Sequence, residues 1–510
     1  MRLFKKILLT AVFAVAATAA YAQNTNTSYK EATQNFLYEY KRFSQQSQEE
    51  YSQYREQCNK EYAQFLRQAW SKTPLYTEDT IPQFNGLEPV AYIAEEQSAE
   101  IKIQTASGLS VEDLHALDEE VKPIDEFIEI PSINEEVLSF TFYGTDMAVR
   151  IPENRPALKS TDENHIADMW EVFSQKEGFN NMVYDCLKIK EERNLCDWAY
   201  LKMIQTFARK WYGADTNEST LLTAFIYAQS GYKIKLARNS IDMKLYLLCA
   251  TKYNISGSQY SLGDGYKYYV IKDHKRTLSA YLLPDNLHVS PASMEKEMPL
   301  SMNISKNIRL SMNTVGDKAL SGKKYPETEG HVNLNKNLVD FYNDYPYSYL
   351  HRVENNWVTY ANTPLSEESK KTLYPQLRKA IKGKDTPESL NILLDFVQHA
   401  FEYKVDNEVW GEERVFFPEE TLHYPYSDCE DRSILFSRIV RDILGLDVVL
   451  VYYKNHLATA VNMNRADVPG SYIADKKGNK YIICDATYFG ATIGMEQPAV
   501  KGAQKYIIQL

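Results

Sequence analysis

The sequence predicts an α+β fold, and three observations carry that prediction. Residues 424–428, Tyr-Pro-Tyr-Ser-Asp, are turn-forming and give way at Cys429 to an apolar pattern of helical period that includes Ile434, Leu435, Phe436, Ile439 and Val440, so a helix starts at or near Cys429. Downstream, residues 447–453, 456–461 and 481–487 are strand-like runs, separated by the turn signals Lys454-Asn455, Pro469-Gly470 and Lys477-Gly478-Asn479. Upstream, helical patterns between residues 160 and 250 lead into two more strand-like runs, and Asp264-Gly265 marks a hairpin between Tyr260 and Tyr268.

From the N-terminus, Met1-Arg2-Leu3-Phe4-Lys5-Lys6 is basic, an apolar run extends from Ile7 to about Ala19, and Ala20-Tyr21-Ala22 precedes Gln23. This is the pattern of a secretory signal peptide over residues 1–22 with a small-x-small cleavage site, so an exported protein, periplasmic or extracellular after cleavage near Ala22, is expected. No Cys follows that site, and no later run approaches the roughly 18 apolar residues of a spanning helix, so neither a lipid nor a transmembrane anchor is expected. The remaining 510 − 22 = 488 residues suit about three domains. Removing Arg2, Lys5 and Lys6 moves the formal charge from −11 to −14. An acidic chain without basic clusters argues against nucleic acid or an anionic membrane as the main partner.

Residues 23–72 are expected to hold a long amphipathic helix. Phe36, Tyr40, Phe43, Tyr54, Cys58, Phe65 and Ala69 follow mostly three-and-four spacing and leave a narrow apolar stripe, suited to packing on the body or to a protein partner. Residues 73–135, with Pro74, Pro82 and Pro89 among acids, are expected to be a linker. Residues 136–281 should form an α+β domain and residues 282–364, with turn signals at Gly316-Asp317 and Gly322, a β-rich module. Helices return at 365–383 and 387–403 inside a last domain, 365–510.

The six cysteines, Cys58, Cys186, Cys196, Cys249, Cys429 and Cys484, fit no disulfide or metal framework, and Cys186–Cys196 is the one pair spaced as a plausible bridge. There is no CxxC, HExxH or calcium loop, so neither a metal nor a cofactor is expected.

The chemistry is read from order and spacing. A thiol at a helix start feels unpaired N–H groups and the positive end of the dipole, which favour thiolate; Asp428, Glu430 and Asp431 oppose it, and an inert thiol is the other reading. His456 opens the second strand and Asp485 ends the third, so Cys429, His456 and Asp485 form a nucleophile, a base and an orienter. Trp410, Tyr424 and Tyr426 are candidates for cleft walls or for a second oxyanion donor beside the Cys429 N–H.

The order Cys–His–Asp, with Pro418-Glu419-Glu420-Thr421-Leu422 before Ser427-Asp428-Cys429-Glu430-Asp431-Arg432-Ser433, and with Asn455-His456 and Cys484-Asp485-Ala486-Thr487 after it, resembles the transglutaminase-like superfamily, which includes bacterial cysteine peptidases. The resemblance covers about residues 385–495 and departs at Ser427, where a Gly is common. It implies a papain-like transglutaminase core, a helix bearing the Cys packed on an antiparallel sheet. It also implies a Cys429–His456–Asp485 triad acting on protein or peptide amides through an acyl-enzyme, with hydrolysis favoured over cross-linking. A binding or scaffold protein that keeps the triad without turnover is the alternative. Residues 201–205, Leu-Lys-Met-Ile-Gln, echo residues 394–398, Leu-Asp-Phe-Val-Gln, and residues 215–222 echo 428–435. A degenerate, silent copy is therefore expected, with Thr216 at the Cys place and Asp242 near the His place; an unrelated helix–strand domain is the other reading.

Overall fold

The computed structural model describes Tyr38 and residues 53–510, apart from 74, 78–99, 106, 110–120, 125, 132–133, 256–257, 271–285, 295–296, 351–355, 454 and 466. The expected signal peptide and most of residues 23–52 lie outside the described residues. Residues 53–66 are helical, and their apolar face, Tyr62, Ala63 and Leu66, is fully buried against the body. Polar contacts fix the register: Asn59 hydrogen-bonds both Gln229 and Trp170, and Arg67 pairs with Asp168 and Glu171. This end of the amphipathic helix is an internal strut.

Residues 71–72, at the end of the segment expected to be helical, and the segment expected to be a linker both contribute strands. β1 (Ser71–Lys72) and β2 (Leu75–Thr77) join one sheet, and β3 (Ile101–Thr105) and β4 (Ser107–Leu109) join another. A hairpin, β5 (Glu135–Phe142) and β6 (Thr145–Pro152), follows. Four helices come next: α1 (Glu163–Gln175), α2 (Glu177–Glu192), α3 (Asp197–Tyr212) and α4 (Asn217–Gln229). Local caps set three of these starts. Asp162 accepts the N–H groups of Asn164 and His165, Cys196 Sγ that of Ala199, and Thr216 Oγ1 that of Ser219. All six cysteines are free thiols, including Cys186 and Cys196, the pair spaced as the most plausible bridge: Cys186 is buried in the core and Cys196 caps α3.

After α4 come β7 (Ile234–Asn239), β8 (Leu245–Thr251), β9 (Asn254–Ile255), β10 (Ser258–Ser261), β11 (Lys267–Val270) and β12 (Leu287–Val289). The expected β-rich module over 282–364 is not a separate unit. β12 belongs to the preceding sheet, and only the hairpin of β13 (Thr314–Leu320) with β14 (Gly330–Asn335) and the short β15 (Ser348–Tyr349), paired with β9, follow it. Two helices, α5 (Lys336–Asn343) and α6 (Asn356–Asn362), also lie in this range. Gly316-Asp317, read as a turn, sits inside β13 at a bulge where the register shifts between Val315 and Lys318.

The last unit runs α7 (Glu367–Ala380), α8 (Thr386–His399), β16 (Glu402–Tyr403), α9 (Asp406–Val409), α10 (Pro418–His423), β17 (Tyr426–Ser427) and α11 (Cys429–Leu444). Gly445, left-handed at φ 65°, ends α11. β18 (Asp447–Tyr453), β19 (His456–Asn462), β20 (Gly470–Ala474), β21 (Lys480–Cys484) and β22 (Tyr506–Gln509) complete it.

The two large sheets share one topology. Their orders are β1-β12-β7-β8-β11-β10-β2 and β3-β20-β21-β19-β18-β22-β4. Taken from opposite ends, β7, β8, β10, β11 and β12 correspond to β18, β19, β20, β21 and β22, and every pair within each set of five is antiparallel. Both sheets also close on themselves. β3 and β4 are separated by one residue yet pair with opposite ends of the order. Flat, that sheet would hold its ends apart by about 29 Å, at roughly 4.8 Å per strand, far beyond one residue's reach. β3 and β4 therefore close a barrel through parallel pairs, with Lys505 Nζ 2.7 Å from Gln104 Oε1, and β1 and β2 close the other through antiparallel pairs. The barrel interiors hold small apolar clusters, Val449, Val451, Ala458, Ala460 and Ile483 in one and Ala237, Leu248, Ala250, Tyr268 and Val289 in the other. The outer faces pack on helices, so the Cys429 helix lies against β18 and β19.

Candidate active site

Cys429 is the first residue of α11, so its N–H has no partner within the helix. Its approach is fixed from three sides. The parallel pair β16–β17 sets Tyr426 and Ser427 beside Glu402 and Tyr403. Asp431 Oδ1 accepts the Phe416 N–H at 2.8 Å, and Oδ2 the Asp428 N–H at 3.4 Å. The fully buried Arg432 donates to Gln398 O at 2.9 Å, Phe401 O at 2.8 Å and Ser427 Oγ at 3.0 Å, tying the end of α8 to the start of α11. Lys318 of β13 donates to the carbonyls of Leu422 and Tyr424 just upstream, at 2.9 and 2.8 Å.

His456 is the last pair of the β18–β19 hairpin, opposite Tyr453, and Asn455 makes the tight turn with φ 67°. β21 lies beside β19, with Thr459 opposite Cys484, so Asp485 emerges at the same end as His456. His456 Nε2 and Asp485 Oδ2 are 2.9 Å apart, and both side chains are buried. Asp485 Oδ1 accepts the Thr487 N–H and hydroxyl, each at 3.0 Å, and Gln497 Nε2 donates to that hydroxyl at 3.2 Å. Gln398 holds the loop: Nε2 donates to the carbonyls of Asp485, Tyr488 and Ala491, and Oε1 accepts the Gly490 N–H. Burial pulls the Asp485 carboxyl up, but the charge and bond of His456 and the Thr487 bonds outweigh it and leave it below the usual range. An ionised Asp485 only accepts, so it assigns the His456 proton to Nε2 and leaves Nδ1 with its lone pair.

Cys429 and His456 line one narrow cavity of about 30 Å³, whose other walls include Trp357, Tyr403, Tyr452 and Leu457. The structure thus brings all three sequence-selected residues to one place. The thiol is not in hydrogen-bond contact with His456; Sγ meets Glu430 Oε2 at 2.9 Å. Burial first, then the charges of Glu430 and Asp428, push the thiol well above its ordinary pKa, and the Leu457 N–H acts weakly against them. The carboxylates flanking Cys429 in the sequence therefore oppose thiolate here.

Those carboxylates belong to a larger group. Oxygens of Asp406, Glu413 and Glu430 lie within 4.8 Å of one another, as do those of Asp406, Asp428 and Asp431. Asp428 is 6 % exposed, and its Oδ1 has no hydrogen-bond partner. Burial, together with the charge and hydrogen bond of Glu430, raises the Glu413 carboxyl far above the usual range. Buried anions at this spacing must share protons or meet a cation. An oxygen-only donor set of this kind could hold a hard divalent ion such as Ca²⁺. The sequence has no calcium loop, because the set is assembled from three separate segments.

Trp410, Tyr424 and Tyr426 are not among the residues that line the cavity. Trp410 packs on Tyr424 and Phe416, the Tyr424 hydroxyl bonds Asn343, and Lys404 lies over Tyr426. The aromatic walls are Trp357, Tyr403 and Tyr452 instead. Only Tyr452 carried a signal in the sequence, as a strand residue four before His456. Gln398 was visible only as one half of the internal echo.

The upstream barrel has a helix start and a hairpin of its own. The Asn239 N–H donates to the Lys244 carbonyl beyond the last β7–β8 pair, Arg238 with Leu245, and Asp242 lies within that turn. Thr216 caps α4 and Asn217 is its first residue, as Asp428 and Cys429 are for α11. Asn217 Oδ1 accepts the Leu245 N–H at 2.9 Å. Comparisons of the chain with protein-family models, curated proteins and solved structures find no match to any of them.

Proposed function

We propose that the C-terminal unit is a transglutaminase-like thiol enzyme acting, outside the cytoplasm, on amides of proteins or peptides. One observation carries the reading: a cysteine at a helix start shares a cavity with a histidine whose far nitrogen is held by a buried carboxylate. His456 Nδ1 takes the Cys429 proton, and Sγ forms a bond to the amide carbonyl carbon. The C–N bond then breaks, the proton passes to the leaving amine, and a thioester remains. Water, deprotonated by His456, cleaves the thioester and restores the thiol. The Cys429 N–H is suited to one bond with the developing oxyanion. Asp485 keeps the imidazole in the required tautomer and stabilises its cation.

The raised thiol pKa favours a second reading, a binding or scaffold protein built on two related barrels. A thiol-reactive probe separates the two. Labelling of the wild type that is lost in Cys429→Ala and much slowed in His456→Ala supports the enzyme. Peptide-library digestion then identifies the bond, and matching digests from wild type and Cys429→Ala would leave only the binding reading.

A further inference from the structure

The silent copy carries a built groove of its own. A cavity of about 390 Å³ opens beside the start of α4 and the start of β8, the two places that bear Cys429 and His456 in the other barrel. It is lined, among the described residues, by Gln205, Arg209, Asp215, Ser219, Thr220, Thr223 and residues 244–247. A second cavity of about 470 Å³ on the other flank of α3 is lined by Ser139, Thr141, Asp146, Thr206 and Lys210 and shares Arg209 with the first. The two cavities flank α3 and share Arg209, and the first, floored by Gln205, forms a trough beside α4.

Its floor is short of donors. Gln205 is 8 % exposed, and its Oε1 has no hydrogen-bond partner. The hydroxyls of Ser219, Thr220 and Thr223 donate back to helix carbonyls, at 2.8, 3.3 and 2.7 Å, so each turns a lone pair outward. In the echoed segment the matching Gln398 is fully satisfied. A buried amide oxygen without a donor costs about 1–3 kcal/mol, and a ligand N–H removes that cost. The two linings carry Arg209, Lys210 and Lys244 against Asp146 and Asp215, an excess of one positive charge, and Asp215 sits 3.8 Å from Arg209. At the adjacent hairpin tip, Ile241 is 77 % exposed.

We propose that this trough docks an extended peptide bearing acidic side chains, held through its backbone amides by Gln205 and through its carboxylates by Arg209 and Lys244. Two cations, Arg209 and Lys244, beside the single acid Asp215, together with the unmet acceptor of Gln205, favour a ligand that brings both carboxylates and N–H groups, as an acidic peptide does. The inactive barrel would thus serve as a recognition site on the same chain as the thiol.

The test uses the full chain carrying Cys429→Ala, so that no turnover is needed and failure here is separate from failure of the thiol chemistry. Fluorescence anisotropy would follow a labelled decapeptide of alternating Glu and Ala, with Lys-Ala and Gln-Ala decapeptides for comparison. The Glu peptide is expected to bind saturably and at least about tenfold tighter than the Lys peptide. Arg209→Ala should weaken it roughly tenfold, and Gln205→Leu about two- to twelvefold, one neutral hydrogen bond. Lys244→Ala, a surface change, stands in if Gln205→Leu does not fold. Absence of saturable binding, equal binding of the Lys peptide, unchanged affinity in these variants, or preferential binding of a chitin oligosaccharide would each overturn the proposal.

Discussion

Gln398→Leu tests how the acid of the triad is held. The Gln398 amide has two hydrogens, shared among the carbonyls of Asp485 at 3.0 Å, Tyr488 at 2.8 Å and Ala491 at 3.2 Å, and its oxygen accepts the Gly490 N–H at 3.2 Å. Leucine matches the volume but removes all of this inside a fully buried site. Three hydrogen bonds at about 1 kcal/mol each, plus about 1–2 kcal/mol for groups left without partners, give a loss of roughly 4–5 kcal/mol. Urea unfolding followed by tryptophan fluorescence should move the midpoint down by about 1.5–2 M, taking a slope near 2.5 kcal/mol/M. Hydrogen exchange at Thr487 and Gly490 should rise, and probe labelling of Cys429 should slow as the His456–Asp485 pair loosens. Gln398→Glu should be no better, since its carboxylate would face three carbonyls. A midpoint shift below about 0.4 M, or unchanged exchange at residues 485–491, would refute the claim that Gln398 positions the loop.

Asp485→Asn should leave the fold intact and cut probe labelling of Cys429 by one to three orders of magnitude, because an amide can impose the wrong imidazole tautomer; circular dichroism and labelling rates check both halves. Asp485 also sets an acid limit. Its folded pKa lies below the ordinary value, so its contribution is present above the unfolded pKa of about 3.9 and is lost as pH falls through the folded value; melts between pH 3 and 6 should show this, and Asp485→Asn should flatten the slope. Calcium chloride at about a hundred times its dissociation constant should raise the melting temperature by a few degrees, and Asp406→Asn should remove that rise while raising stability in chelator; no response to calcium would mean that the five carboxylates hold only shared protons. Ile103→Pro removes an N–H from the closing strand opposite Tyr472 and should open the barrel, seen as faster exchange along β20.

Cys429, His456 and Asp485 could be picked out in the sequence because each sits where local pattern changes. Turn residues before a 3.6-period run placed Cys429, the Lys454-Asn455 turn placed His456 at a strand start, and the end of an apolar run placed Asp485. What surrounds the triad was not legible. Asp406, Glu413, Trp357 and Gln398 lie on other elements, and nothing in their neighbours' spacing shows that they converge. The aromatic residues nearest in sequence, Tyr424 and Tyr426, were the natural choice for walls, and the fold turns them to other partners. The supposed linker misled for a similar reason: strands as short as β3 and β4 have no period of their own and exist only because two barrel edges need a partner.

By itself the sequence determined the α+β class, the helix start at Cys429, the hairpin at His456, and the order of Cys429, His456 and Asp485 along successive elements, since periodicity, caps and turns are local properties of the chain. Tertiary structure alone decided that both sheets close through strands from one upstream segment, and that five carboxylates gather beside the thiol. It also set Asn217 at the start of α4 against the N–H of Leu245 at the start of β8. Strand register and long-range convergence depend on which distant surfaces bury each other, and no short window of sequence encodes that.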